Sequence, residues 1–334
     1  MFEQPIFLMT HPRSCSTAFE RAMMAHPEVS TCFHEPFGDA FYLGPERLCE
    51  RYLEHDNSTN EDMTYGAILR DIVEKASKHQ PNPVFAKDFA YHLIPPQRPL
   101  EPMARSVAEP DEPVHEPSNP CILPTRVLRK FRFTFLIRHP RFSVPSLYRC
   151  TVEPLSHMTG WHYFLPSEAG YAQLRQLFDY LRQQGLLGSD EEQSKIDDSF
   201  TANHASSATA SDTRKDGSDI CLIDAEDLLR EPAATLQAYC AHVGLNFDPR
   251  MLAWDSPEQD ILARQTFDKW KGFHEDAIQS KGLAPCNQTS AKSADEQDRE
   301  WRDRFGIQGA KVIRETVDAN VEHYLYLRQF ALRI

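Results

Sequence analysis

Pro5-Ile6-Phe7-Leu8-Met9-Thr10-His11-Pro12-Arg13-Ser14-Cys15-Ser16-Thr17-Ala18-Phe19-Glu20-Arg21-Ala22-Met23 reads as a strand, a turn and the opening of a helix in one run. Pro5 to Met9 is a short apolar segment, and Ala18, Phe19, Ala22 and Met23 recur at helical spacing until His26-Pro27 stops them. Thr17 with Glu20 fits a capping box, which places the helix start at Ser16 or Thr17 with unpaired amides facing the turn. Arg13 and the hydroxyls of Ser14, Ser16 and Thr17 surround a helix start that carries roughly half a positive charge, a setting suited to a phosphate or sulfate group. The competing reading is a Ser-rich cap beside a surface Arg. The string GxxxxGK[ST] of an ATP-binding loop occurs nowhere in the chain.

The same alternation continues outward. Val84-Phe85-Ala86 is a second short strand ending at Lys87-Asp88, and Arg132 to Ile137 is a third, ending at Arg138-His139-Pro140 before a helical Ser143 to Cys150. Ile220 to Ile223 is a fourth, followed by helical Asp224 to Leu229 and Ala233 to Val243. Strands separated by helices and long connections predict an α/β fold, a parallel β-sheet flanked by helices, with ligands at the carboxyl ends of the strands.

Two stretches interrupt this pattern. Pro95 to Pro124 is so proline-rich that it can form neither helix nor central strand and reads as a surface loop, and 189–219 has almost no apolar side chain and reads as an unfolded excursion. The polar tail from Asn287 to Arg304 is expected to be helical only in its second half. The 334 residues, 41% of them hydrophobic, suffice for a large core, and a single domain over 1–334 with two insertions is the expected organisation.

A net charge of −13 repels polyanions, so nucleic acid is not an expected partner, and an anionic ligand must be held by local cations. The start of the chain has no basic leader, and no apolar run approaches the roughly 20 residues that cross a bilayer, so no membrane partner and a cytoplasmic location are expected. Eight scattered cysteines without CxxC or close-set His read as reduced thiols and predict no structural metal.

Arg138 closes the third strand, and Ser146, eight residues on, lies one to two helical turns further and can point back to it, so the pair can hold a second phosphate. An [RK]-S-x-[ST]-[ST] turn after strand one, an Arg-x7-Ser pair after a later strand, and Ile223-Asp224-Ala225-Glu226-Asp227-Leu228 before a helix ending Val243-Gly244-Leu245 stand in a fixed order. Together they resemble the sulfotransferase family that uses 3′-phosphoadenosine 5′-phosphosulfate (PAPS). The likeness runs from residue 5 to about 282. It is nearest to fungal and bacterial small-molecule members with His-Glu-Pro-Phe after the first helix, here His34 to Phe37.

The resemblance implies a P-loop-like, three-layer fold. It assigns Arg13, Ser14, Cys15, Ser16 and Thr17 to the 5′-phosphosulfate, and Arg138 and Ser146 to the 3′-phosphate. Arg264 and Lys271 are the cations available to a late loop that folds over the nucleotide. Two positions depart from the family: Cys15 stands where many members have Gly, and Ala18 where cytosolic members have an adenine-stacking Trp. Adenine then falls to Phe19 or to Trp270-Lys271-Gly272-Phe273-His274. Lys87 matches the family lysine that neutralises the leaving phosphate. For the base that takes the acceptor's proton, Glu35 stands first, kept extended by Pro36, with His92 second and Asp88 third. The plainer alternative pairs a buried Glu35 with Arg13 or Arg138. The aromatic string Ser156 to Phe164 suits an apolar or aromatic small-molecule acceptor. The expected activity is therefore sulfuryl transfer from PAPS to a hydroxyl or amine. A secondary-metabolic elimination, cyclisation or other lyase reaction on the same fold, with or without PAPS, is the alternative, and a phosphate-binding module without catalysis is the third reading.

Overall fold

A computed structural model describes residues 4–49, 51–52, 60–94, 103–110, 116–187, 220–286 and 292–334. In chain order its elements are β1 (Ile6–Thr10), α1 (Ser16–Met24), β2 (Thr31–His34), α2 (Gly38–Tyr42), α3 (Tyr65–Lys78), β3 (Val84–Phe89), α4 (Thr125–Leu128), β4 (Arg132–Ile137) and α5 (Pro140–Arg149). There follow α6 (Ser156–Thr159), α7 (Tyr171–Gln183), β5 (Leu222–Asp224), α8 (Ala225–Arg230), α9 (Pro232–Val243), α10 (Pro257–Phe267), α11 (Glu275–Gln279) and α12 (Ala294–Arg328). The strands form one sheet in the order β2-β3-β1-β4-β5, every neighbouring pair parallel. Helices cover both faces, so the predicted α/β class holds.

Side chains alternate across a strand, and here the alternation separates two cores. Ile6, Leu8, Phe85 and Leu136 face α1 and α9 and pack with Phe19, Met23 and Tyr239. Phe7, Met9, Ala86, Phe135 and Ile137 face the other way, against α3, α7 and α12. The register sets His34 beside Lys87 and Leu8 on the α1 side, whereas Asp88, one residue on, belongs to the opposite side. Lys87 and Asp88 lie inside β3, which runs on to Phe89, and not beyond its end as the sequence suggested.

The β1 to α1 turn is compact. Arg13 and Cys15 both take left-handed φ values, 62° and 67°. Cys15 is the residue before the helix and gives its first-turn amides no side-chain acceptor. The expected capping box is absent: Glu20 is fully buried against the sheet, its Oε2 with His34, and Thr17 meets His274 instead. A side chain that finds buried polar partners across the sheet has no reason to turn back to its own helix start.

Several elements were not anticipated in the sequence, the longest being α3, α7, α10 and most of α12, and β2 among the strands. Of these, α12 packs along α5 and α7 and is tied to β5 by Tyr324, whose hydroxyl donates to Asp224 Oδ2 at 2.6 Å, and by Arg328 at 2.8 Å from the same oxygen. Within Pro95 to Pro124, the described residues form neither helix nor strand, as expected, but they are not all surface. Ile122 and Leu123 are buried in the core, and Ile122 N donates to Leu93 O at 3.0 Å. The low-complexity segment 189–219 lies outside the described residues. None of the eight cysteines is paired, and no helix among the described residues is long and apolar enough to cross a membrane.

Two stability tests follow. Ile313 on α12 is wholly buried, so Ile313→Ala is expected to cost about 2–5 kcal/mol in denaturant unfolding. Cys15→Gly relieves a left-handed strain of about 1–2 kcal/mol against an entropy loss of about 0.5–1 kcal/mol. A small net rise in melting temperature is expected, and a fall would show that thiol packing outweighs backbone strain at this turn.

Candidate active site

At the carboxyl ends of the strands lies a cavity of about 340 Å³. One wall is the β1 to α1 turn with Arg13, Cys15, Ser16, Thr17 and Ala18, joined by Arg138 and Ser146 from the end of β4 and from α5. Another is aromatic: Tyr42, Phe89, Tyr91, Trp161, Trp270 and Phe273. Glu35 and His274 lie on the wall as well, and Leu229, Leu283 and Ala284 close the side near Ala18.

The two arginines form one cationic patch. Arg13 Nε donates to Ser146 Oγ at 2.9 Å, one of its Nη groups donates to Phe273 O, and the other stands 3.9 Å from the exposed Asp276. Arg138 Nη1 donates to Arg13 O at 3.3 Å, and its Nε faces Glu226 at 3.5 Å. Ser146 therefore serves Arg13 directly, where the sequence paired it with Arg138. His11 braces the patch from behind. Burial, with Arg138 nearby, lowers its pKa to about 3, so the ring is neutral and Nε2 accepts the Arg138 amide at 3.0 Å. The ring stacks on Tyr171, whose hydroxyl donates to Arg138 O at 2.6 Å.

The anticipated residues separate into those on the cavity and those behind it. Arg13, Cys15, Ser16, Thr17, Arg138, Ser146 and Glu35 line it. Ser14 does not: it is fully buried and its Oγ meets Thr10 Oγ1 at 2.6 Å. Arg264 is exposed on α10, away from the cavity, and Lys271 is exposed and pairs with Asp268 at 3.3 Å. The cation that the late loop does contribute is Lys269, whose Nζ donates to Glu35 O at 3.1 Å and pairs with Asp39 at 2.9 Å. Phe19 is wholly inside the core and cannot stack on a ligand, while Trp270 and Phe273 are on the wall.

Glu35 is not extended. Its φ is 44°, and the strained turn is held by Glu35 N donating to Lys87 O at 2.8 Å and Gly38 N donating to Glu35 O at 3.1 Å. Backbone held in this region against its own preference is over-determined by its surroundings. Nor does Glu35 pair with an arginine. Lys87 Nζ, fully buried, donates to Glu35 Oε1 at 2.6 Å and stands 3.6 Å from Glu20 Oε2. Burial opposes the Lys87 charge, but the two carboxylates outweigh it and its pKa is raised. His92 and Asp88 sit on the far side of β3, as the alternation requires. Asp88 accepts from the amides of Phe37 and Phe89, both at 2.7 Å, and from His92 Nδ1 at 2.6 Å. His92 is wholly buried beneath Phe41, Tyr42 and Tyr91, off the cavity wall.

Sequence reasoning missed a buried line of polar groups on the α1 side. Thr17 Oγ1 lies 2.9 Å from His274 Nδ1, His274 Nε2 lies 3.2 Å from His34 Nε2, and His34 Nδ1 lies 2.8 Å from Glu20 Oε2. Burial is the main cause holding both imidazoles well below their usual pKa, so both are neutral. Burial also pushes Glu20 up to about 8, against the pull of Lys87. His34, Glu35 and His274 bring three ligand-type atoms within 4.8 Å of one another. The ammonium of Lys87 already takes the place of a cation against the Glu35 oxygen. The sequence signal was the run of polar residues Glu20 and His34 at otherwise apolar, inward-facing positions.

Comparison with known proteins bears on this arrangement. A family model described as a sulfotransferase domain matches residues 189–284. Two curated relatives, each described as sulfotransferase ppzF, come from Metarhizium majus (strain ARSEF 297) and Metarhizium rileyi (strain RCEF 4871). They are 28% and 26% identical over 221 residues, 66% of this chain. The chain spans 58% of the length of these relatives. Among solved structures, the sulfotransferase domain of the Synechococcus PCC 7002 olefin synthase aligns over 92% of this chain and 94% of its own, with TM-score 0.41 and 14% identity. The sulfotransferase domain from the curacin biosynthetic pathway aligns over 94% and 98%, with TM-score 0.37 and 12% identity. The family-model match over residues 189–284 and the two curated relatives make this chain similar to sulfotransferases.

Proposed function

We propose that the protein transfers a sulfuryl group from PAPS to a hydroxyl or amine of a small apolar or aromatic metabolite. The observation that carries this reading is the two-sided cavity. Arg13, Arg138, Ser146 and the start of α1 form a cationic wall, aromatic rings form another, and a carboxylate, the buried Glu35, lines the cavity with them. The residues fit the donor: uncapped first-turn amides and two arginines suit its phosphates, and Ala18, Leu229 and Leu283 offer an apolar bed for its base.

When bound, PAPS supplies an SO₃ group on a phosphate leaving group. The bond from acceptor oxygen or nitrogen to sulfur forms, the bond from sulfur to the phosphate oxygen breaks, and the acceptor's proton goes to Glu35. Arg13 and the α1 amides neutralise the charge that gathers on the leaving phosphate. Lys87 is too deep to touch the nucleotide as the cavity stands, and its part is to fix the Glu35 carboxylate through Oε1, leaving the other oxygen to take the proton. Tyr42, Phe89, Trp161 and Trp270 hold the acceptor and keep water from the sulfuryl group.

Arg13→Ala removes a charge-assisted contact and is expected to weaken nucleotide binding by roughly tenfold or more in calorimetric titration. Unchanged affinity would make the turn a structural cap. Glu35→Gln is expected to lower turnover by about 10²–10⁴ with nucleotide affinity near normal, and His92→Ala, off the cavity, to act only through stability. The opposite ranking, measured in single turnover with an acceptor in hand, would move the proton to His92.

A further inference from the structure

Thr17, His274, His34 and Glu20 make an unbranched chain with one hydrogen for each gap, so its direction is a single choice. If Glu20 is ionised, His34 must donate through Nδ1, His274 must donate through Nε2 to His34, and the Thr17 hydroxyl is consumed donating inward to His274 Nδ1. If Glu20 carries a proton, every bond reverses: Glu20 donates to His34 Nδ1, His34 Nε2 to His274 Nε2, His274 Nδ1 to Thr17 Oγ1. The hydroxyl hydrogen of Thr17 is then released toward the cavity it lines. No mixture of the two satisfies the His34 to His274 contact, which needs one hydrogen between two nitrogens.

The geometry favours the second direction. Glu20 is wholly buried, and its Oε1 has no hydrogen-bond partner, an arrangement costly for a carboxylate and tolerable for an acid whose hydrogen lies on Oε2. The groups facing Glu20 are His34 from β2, with Cys32 on the same strand, and Lys87 from β3, while the charge of Asp88 acts on it from the other side of the sheet. Lys87 is the one cation among them, and it stands a full ångström closer to Glu35 than to Glu20, 2.6 Å against 3.6 Å. One ammonium neutralises one carboxylate, so Glu35 keeps the negative charge and Glu20 the proton.

We propose that Glu20, His34 and His274 are positioning residues that fix the direction of donation at Thr17, so that its hydroxyl donates to an anion in the cavity. The proposal rests on the sulfotransferase reading for the identity of that anion, the 5′-phosphosulfate, but not for the direction of the chain. It gives the cavity a switch: ionising Glu20 turns the Thr17 hydrogen away from the ligand. A proton pKa near 8 on Glu20 places the reversal just above neutral pH.

The test uses nitrogen-15 imidazole NMR on the ligand-free protein, together with calorimetric titration of 3′-phosphoadenosine 5′-phosphate on either side of pH about 8. Below that pH His34 is expected to carry hydrogen on Nε2 and His274 on Nδ1, and both tautomers should exchange above it. Affinity in the wild type should fall by about tenfold across the transition, the loss of one hydrogen bond to a charged group. Glu20→Gln, which cannot ionise, should bind as the wild type does at neutral pH and lose the fall, while Thr17→Val should bind weakly at both pH values. Stability gives an independent reading. A carboxyl raised from 4.5 to about 8 on folding contributes stability that is full below the lower value and lost as pH rises through the upper one. Glu20→Gln should flatten that decline. His34 with hydrogen on Nδ1 at neutral pH, or an equal fall of affinity in Glu20→Gln, overturns the proposal. Expected tautomers in a protein that does not bind the nucleotide uphold the direction of the chain and overturn the donor instead.

Discussion

A single buried ammonium, Lys87 Nζ, sits between two carboxyl groups on the α1 side of the sheet, and much of the site is arranged around which of them it pairs with. An unpaired charge at that depth costs several kcal/mol, so the lysine is tolerable only because Glu35 meets it at hydrogen-bond distance. Glu35 in turn can reach it only by leaving β2 through a left-handed turn, which brings the following Pro36 and α2 across the end of the sheet. That path roofs the cavity on one side, and it also supplies the backbone oxygen that Lys269 of the late loop grips. The second carboxyl group, that of Glu20, left without a cation of its own, becomes the end of a polar line reaching to the cavity wall.

The β1 to α1 turn and the β4 to α5 turn were legible in the sequence because each is local: strand, turn and helix follow within a few residues, and their arginines and hydroxyls are read as a string. The base was half legible. His34-Glu35-Pro36-Phe37 stood out, but β2 is four residues long and carries a cysteine, a threonine and a histidine, too little apolar alternation to be read as a strand. Without β2 the register that sets His34 against Lys87 has no counterpart in the sequence. Glu20, His34 and His274 belong to a helix, an edge strand and a late loop, and only the folded sheet brings them within bonding distance. His92 stood second to Glu35 as the base for a related reason. Period-two alternation puts neighbours Lys87 and Asp88 on opposite faces, and a residue hydrogen-bonded to Asp88 falls on the wrong side of the sheet.

Cys15 shows how a departure from a motif can be read physically. The left-handed φ at this position is the conformation that glycine adopts without penalty, which accords with the Gly that the resemblance implies there. A side chain at that place adds strain but brings a thiol to the cavity wall, where burial pushes its pKa up against the influence of Arg138. The thiol there is therefore a neutral packing group.

The late segment from Phe267 to Ser280 is fastened at its carboxyl end and engaged at its middle. Arg21, buried on α1, donates to three of its carbonyls, those of Ala277, Ile278 and Ser280, at 2.8, 3.1 and 3.0 Å. Its middle lends Phe273 O to Arg13, with Asp276 nearby. An anion arriving at Arg13 thus meets a guanidinium that already donates to Ser146 Oγ and Phe273 O, and wherever the anion takes over one of these two donors its binding exchanges one acceptor for another. Measured affinity at such a site reports the difference between two occupied arrangements, so loosening the segment and strengthening the ligand's own contacts would register in a titration as the same gain.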